Sequence, residues 1–127
     1  MRIHHLAIYS NDIERLAEFY SNYFKAKISP KYVNEKKQFS SRFLSFDDNS
    51  CKLELMNLPM LSENINEKVI GLAHFSISVG SIENVNQLTD QIVAAGYQLI
   101  DKPRTTGDGF YESVIADPDG NRVEITV

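Results

Sequence analysis

Two histidines and two glutamates occupy matching places in the two halves of this 127-residue chain. His5 opens the run His5-Leu6-Ala7-Ile8, and His74 opens His74-Phe75-Ser76-Ile77. Glu54 sits inside Leu53-Glu54-Leu55, and Glu124 inside Val123-Glu124-Ile125. In each half His and Glu are about 50 residues apart, and the halves are offset by about 70. Alternate residues of a strand face opposite ways. Leu6 and Ile8 therefore oppose His5, and Leu53 and Leu55 oppose Glu54. In the second half Ala73, Phe75, Ile77 and Val79 form the apolar face opposite His74, as Val123, Ile125 and Val127 do opposite Glu124. With the apolar faces packed on helices, all four polar side chains project into one cleft. Two imidazoles and two carboxylates suit one divalent metal ion per site (Ni, Co, Mn, Zn or Fe), and six-coordination leaves two positions open to a substrate.

The remaining reactive side chains read as structure. His4 points away from His5, and Ala73 takes its place in the second half, so it is expected to be partly buried. Cys51 shares parity with Leu53 and Leu55 and reads as a shielded core thiol. Phe19, Tyr20 and Tyr23 form a core stripe at helical spacing. Asp117 and Asp119 read as turn residues.

The elements that must position these groups recur in the same order. Met1 to Tyr9 reads as a strand. Asn11 is expected to cap a helix to about Phe24, with Glu14 completing a capping box. Strands are expected at Lys27–Val33, Gln38–Phe46 and Ser50–Met56, with a turn at 47–50. In the second half Gly71–Val79 is a strand, and Ser81 caps a helix through Ala95 that turns Ile82, Val85, Leu88 and Ile92 inward. Gly96 stops it in the left-handed conformation. Strands follow at Tyr97–Asp101, Phe110–Ala116 and Arg122–Val127, the last two joined by a turn at 117–121 with Gly120 at positive φ. The fold class is α+β, two tandem βαβββ modules. Module one covers about 1–57, a linker 58–70, and module two about 71–127. A sheet with one helix leaves its other face bare, so the sheets are expected to face each other around a central cleft, helices outside.

Composition narrows the function. Hydrophobic residues are 43% and charged residues 24%, as in globular proteins. No apolar run reaches the ~18 residues of a membrane span, and no signal-peptide core opens the chain. A net charge of −4 without a basic patch argues against nucleic-acid or anionic-membrane partners. The single cysteine excludes an internal disulfide and a multi-cysteine zinc site, which makes the cytoplasm the expected compartment.

These features together resemble the vicinal oxygen chelate superfamily, in its glyoxalase I branch. The resemblance spans the whole chain. It is carried by His5-Leu6-Ala7-Ile8, Phe19-Tyr20, Gly71-Leu72-Ala73-His74 and Asp117-Pro118-Asp119-Gly120-Asn121, followed by Val123-Glu124. It implies a metal-dependent lyase or isomerase like lactoylglutathione lyase, acting in methylglyoxal detoxification. Such an enzyme turns the hemithioacetal of a 2-oxoaldehyde and a thiol co-substrate into an S-2-hydroxyacyl thioester by enediolate proton transfer. His5, Glu54, His74 and Glu124 would hold the metal. Glu124 would be the catalytic base and Glu54 a second one. Other branches imply a thiol transferase of the fosfomycin-resistance type, an Fe(II) dioxygenase, or a metal-free antibiotic-sequestering protein; the fourth donor, Glu54, points to glyoxalase I. Tyr9 and Leu58 stand where glutathione-using members carry Arg and Asn. Resemblance to short bacterial glyoxalases implies a homodimer with shared sites, His5 and Glu54 of one chain joining His74 and Glu124 of the other.

Overall fold

The computed structural model describes residues 3–47, 51–61, 72–107 and 109–127. The chain divides into two compact units, Met1–Glu63 and Asn64–Val127. Most of the expected linker, the turn residues 48–50, and Met1, Arg2 and Gly71 of the expected strands lie outside the described residues.

The first unit runs β1 (His5–Tyr9), α1 (Ile13–Phe24), β2 (Lys27–Ile28), β3 (Tyr32–Asn34), a 3-10 turn at Glu35–Lys37, β4 (Phe39–Ser45) and β5 (Lys52–Asn57). Its five-stranded sheet has the order β1-β5-β4-β2, with β3 also pairing β4. β1 and β5 are parallel and the other pairings antiparallel. Leu16, Ala17, Phe19, Tyr20 and Phe24 of α1 are buried, as are Ile8, Leu44, Leu53 and Leu55 of the sheet; Tyr23 is half-buried.

The second unit repeats this plan: β6 (Phe75–Ser78), α2 (Ile82–Ala94), β7 (Leu99–Thr105), β8 (Tyr111–Ala116) and β9 (Arg122–Thr126). The sheet order is β6-β9-β8-β7, again with one parallel pair, β6 and β9. Val85 and Ile92 of α2 are buried, with Val114, Ile115, Val123 and Ile125 of the sheet.

Several local expectations need correction. The cap of α1 is Asp12, whose carboxylate accepts from the Arg15 N–H; Asn11 lies one residue too early. Glu14 then falls short of the capping-box position and turns to Arg42 and Lys31, at 2.9 and 3.2 Å. The strand expected at Lys27–Val33 is split around Ser29-Pro30-Lys31, where proline offers no N–H to the ladder. Gln38 takes the left-handed conformation (φ 49°) after the 3-10 turn, so β4 starts at Phe39. The strand expected at Tyr97–Asp101 runs instead over Leu99–Thr105, through Pro103 and past register shifts in its pairing with β8. Ile82 is 53% exposed rather than inward and Leu88 is half-buried. Thr89 takes the buried place, its Oγ1 donating to the Val85 carbonyl at 2.6 Å and lying 2.6 Å from Ser113 Oγ.

Other expectations hold. Ser81 caps α2 by accepting from the Asn84 N–H, and Gly96 follows that helix at φ 93°. Asp117 is buried and accepts from the N–H groups of Asp119 and Asn121, which closes the last hairpin turn.

Candidate functional site

Strand register brings each His to its Glu. In the first unit β1 and β5 set Ala7 beside Glu54, so His5, two residues earlier on the same face, stands diagonally from the carboxylate. His5 Nε2 lies 3.7 Å from Glu54 Oε2. In the second unit β6 and β9 set Ser76 beside Glu124, with His74 two residues earlier. His74 Nε2 lies 3.2 Å from Glu124 Oε1. Ala7 and Ser76 are repeat-equivalent, so the halves match in register as well as in sequence.

The parity argument holds within each unit. Leu53 and Leu55 are buried on either side of Glu54, as Val123 and Ile125 are around Glu124. Both glutamate side chains keep 17% exposure, and the His5 and His74 side chains keep 39% and 44%. The imidazoles are thus open to solvent while the carboxylates are largely sheltered.

Residues outside the four complete the surroundings. Phe43 stands opposite Glu54 on β4 and meets the His5 ring edge to face, with centroids 5.6 Å apart and planes at 90°. Around the other pair a depression of about 450 Å³ is lined by His74, Ser76, Glu124, Thr126, Glu112, Thr106 and Phe110. Sequence reading alone did not single out Phe43, Glu112 or Phe110. Phe43 and Glu112 are placed by antiparallel register, which needs strand ends the residue pattern leaves loose, and Phe110 is set by its hydrogen bonds to Thr106 just before β8.

His4 and Cys51 behave differently from expectation. His4 is exposed, and its Nδ1 lies 2.9 Å from His5 Nδ1. Cys51 is half-buried just before β5, its Sγ 3.7 Å from the Lys52 carbonyl oxygen. Asn57, next to Leu58, donates its amide to the carbonyls of Ser10 and Asn11, which ties it to the entry of α1. Among nearby cations, Arg42 turns to the helix side, where it donates to Glu14 and to the Ser29 carbonyl. Arg104 lies 3.5 Å from Glu112, a wall of the second-unit depression. Tyr9 shares a face with His5 and is exposed.

The donor chemistry of each pair fits part of a divalent ion's coordination shell. Two ligands bound at about 2.1 Å lie roughly 3.0–3.4 Å apart at octahedral or tetrahedral angles. The 3.2 Å pair meets this spacing, and the 3.7 Å pair needs only a small side-chain shift. Among the described residues neither pair is joined by a third His, Cys, Asp or Glu in a metal-holding group. Each unit therefore offers one nitrogen and one oxygen donor.

With this geometry in view, likeness to known proteins becomes informative. Residues 2–125 match the glyoxalase/bleomycin resistance protein/dioxygenase superfamily, and the chain belongs to it. It is 27% identical to an uncharacterized protein of Bacillus subtilis (strain 168), YqjT, over 97% of this chain and 96% of that one. It is 28% identical to the lactoylglutathione lyase GLX1 of Arabidopsis thaliana, over 98% of this chain but 43% of the plant protein. The crystal structure of glyoxalase I from Zea mays superposes with a TM-score of 0.80 at 22% identity, over 98% of this chain and 44% of the maize chain. The chain thus spans less than half of these plant proteins and nearly all of the bacterial one.

Proposed function

We propose that the protein is a metal-dependent lyase of the glyoxalase I type. It would convert a 2-oxoaldehyde–thiol hemithioacetal into an S-2-hydroxyacyl thioester, with His5, Glu54, His74 and Glu124 as the ligands of one divalent ion. The observation that carries this reading is the pairing of one imidazole with one carboxylate at the same register position in both units. A single structural His–Glu pair is ordinary; its exact duplication across a repeat supplies the nitrogen and oxygen donors of a substrate-accepting ion. Likeness to a lactoylglutathione lyase adds support.

The reaction is an isomerisation, so no atom enters or leaves. The carbon bearing the thiol loses its proton and rises from the aldehyde to the carboxyl level, while the adjacent carbonyl carbon gains a proton and falls from the ketone to the alcohol level. The two-electron oxidation of one carbon thus balances the reduction of the other. A bound divalent ion supplies a positive charge that stabilises the negative charge developing on the substrate oxygens. The chain must move the proton. Glu124 is the base: its carboxylate is largely sheltered yet borders an open depression large enough for a small ligand. Glu54 is the ligand opposite and the second base. Tyr9, exposed on the His5 face, gives no cationic grip for a thiol's carboxylate, which leaves several thiols to be compared as co-substrates.

The test is metal analysis of protein purified without chelator, joined to a thioester-formation assay across several thiols. The expected result is about one ion per site, with His5→Ala and His74→Ala each lowering affinity at least about tenfold. Unchanged metal content in both variants would overturn the ligand assignment. Metal binding without thioester formation with any thiol would overturn the reaction.

A further inference from the structure

We infer that His4 is a positioning residue: its Nδ1 accepts the Nδ1–H of His5, which leaves the His5 Nε2 lone pair free on the Glu54 side. Two neutral imidazoles whose Nδ1 atoms lie 2.9 Å apart share a single hydrogen, so one ring donates and the other accepts. The opposite end of the His5 ring favours that direction. Its Nε2 is 3.7 Å from Glu54 Oε2, beyond N–H···O range, so the contact within hydrogen-bond range on this ring is the one its Nδ1 makes with His4. At His74 the corresponding distance is 3.2 Å, short enough for the glutamate to accept from Nε2.

The two halves therefore set their imidazoles differently. Ala73 stands where His4 stands, and an alanine side chain offers no acceptor. The His5 ring is also held from two sides, edge to face against Phe43 at 5.6 Å and against His4 at 5.2 Å. A neutral imidazole that donates through one nitrogen binds a cation through the other, and such a partner fixes both tautomer and ring orientation. His4 thus presets His5 as an acceptor facing a second acceptor, Glu54.

The effect on metal rests on the proposed ligand role of His5; the effect on the tautomer does not. Two substitutions at this exposed position separate these claims. His4→Phe keeps a ring and removes the acceptor, whereas His4→Asn places an amide oxygen near the position of Nδ1. Nitrogen-15 NMR of the metal-free chain at alkaline pH reads the His5 tautomer directly. The expected result is Nδ1–H in the unaltered chain and in His4→Asn, and a shift toward Nε2–H in His4→Phe. Titration with Co²⁺ should show His4→Phe weakened about 10–100-fold and His4→Asn close to the unaltered chain. His5 carrying Nε2–H in the unaltered chain, or an unchanged tautomer in His4→Phe, would overturn the inference. An Nδ1–H tautomer that depends on His4, in a chain that binds no Co²⁺, would uphold the positioning role and reject the metal reading instead.

Discussion

Glu124 and Glu54 have the same exposure and the same place in their sheets, yet they are assigned different tasks, and one substitution tests the difference. Glu124→Gln keeps the size of the side chain and a ligating oxygen but cannot take a proton at neutral pH. Turnover should fall by about 10²–10⁴-fold. Steady-state rates, with metal content measured on the same sample, check this; near-unaltered turnover would remove Glu124 as the base. Phe43 shows a different kind of contribution. It carries no donor, but it packs against the His5 ring, and register alone places it there.

At the scale of elements, polar contacts tie helices to sheets. Thr89 Oγ1 donates to the Val85 carbonyl, so the 2.6 Å contact with Ser113 is a donation from Ser113, across α2 and β8. Thr89→Val leaves the buried Ser113 hydroxyl without its acceptor and should cost about 1–3 kcal/mol. Adding Ser113→Ala should recover much of that loss, because both polar partners are then gone. Denaturant unfolding of the single and double variants checks the sign. In the first unit Glu14 on α1 meets Lys31 and Arg42. Partial burial pushes the Glu14 carboxyl up, but the hydrogen bonds and charges of Arg42 and Lys31 outweigh it and hold the group below its ordinary value. A lowered folded-state value stabilises above the ordinary carboxylate range, and that contribution is lost as pH falls through the folded value. The side chain is about half exposed, so solvent screening limits the effect to under about 1 kcal/mol. Glu14→Gln should be slightly destabilising at pH 7, and the difference should vanish at strongly acid pH; a constant difference across that range would reject the charge-based account.

For the whole molecule, the proposed four-donor centre would take one His–Glu pair from each of two units. Pairing can occur within one chain or between two copies, and the proposed arrangement is a dimer with exchanged pairs. Mixing inactive His5→Ala with inactive Glu124→Gln then has a distinctive result. A heterodimer holds one site with both defects and one with neither, so activity should partly return after subunit exchange. Confirmed heterodimers without recovery would reject the shared site and leave the metal proposal standing. Among the described residues no helix is long and apolar enough to cross a membrane.

The repeat and the matched placing of one His and one Glu in each half were legible in the residues themselves, because strand parity and a duplicated His and Glu are properties of order along the chain. Ser81, Gly96 and Asp117 were legible for a related reason: capping and turn chemistry are decided within a few residues. The shift of the first helix cap from Asn11 to Asp12, and the breaking of the second strand at Pro30, show the limit of local reading. Adjacent residues competed there for one role, and hydrogen bonding chose between them. Only tertiary structure set Phe43 beside His5, Glu112 into the depression around His74, and Thr89 rather than Ile82 into the core. The same holds for His4, which parity sends away from His5 but which lies just before β1 with its Nδ1 2.9 Å from that of His5. Alternation tells which way a side chain leaves a regular strand; which partner it meets depends on register and on where the strand stops, and those are decided by contacts far apart in sequence.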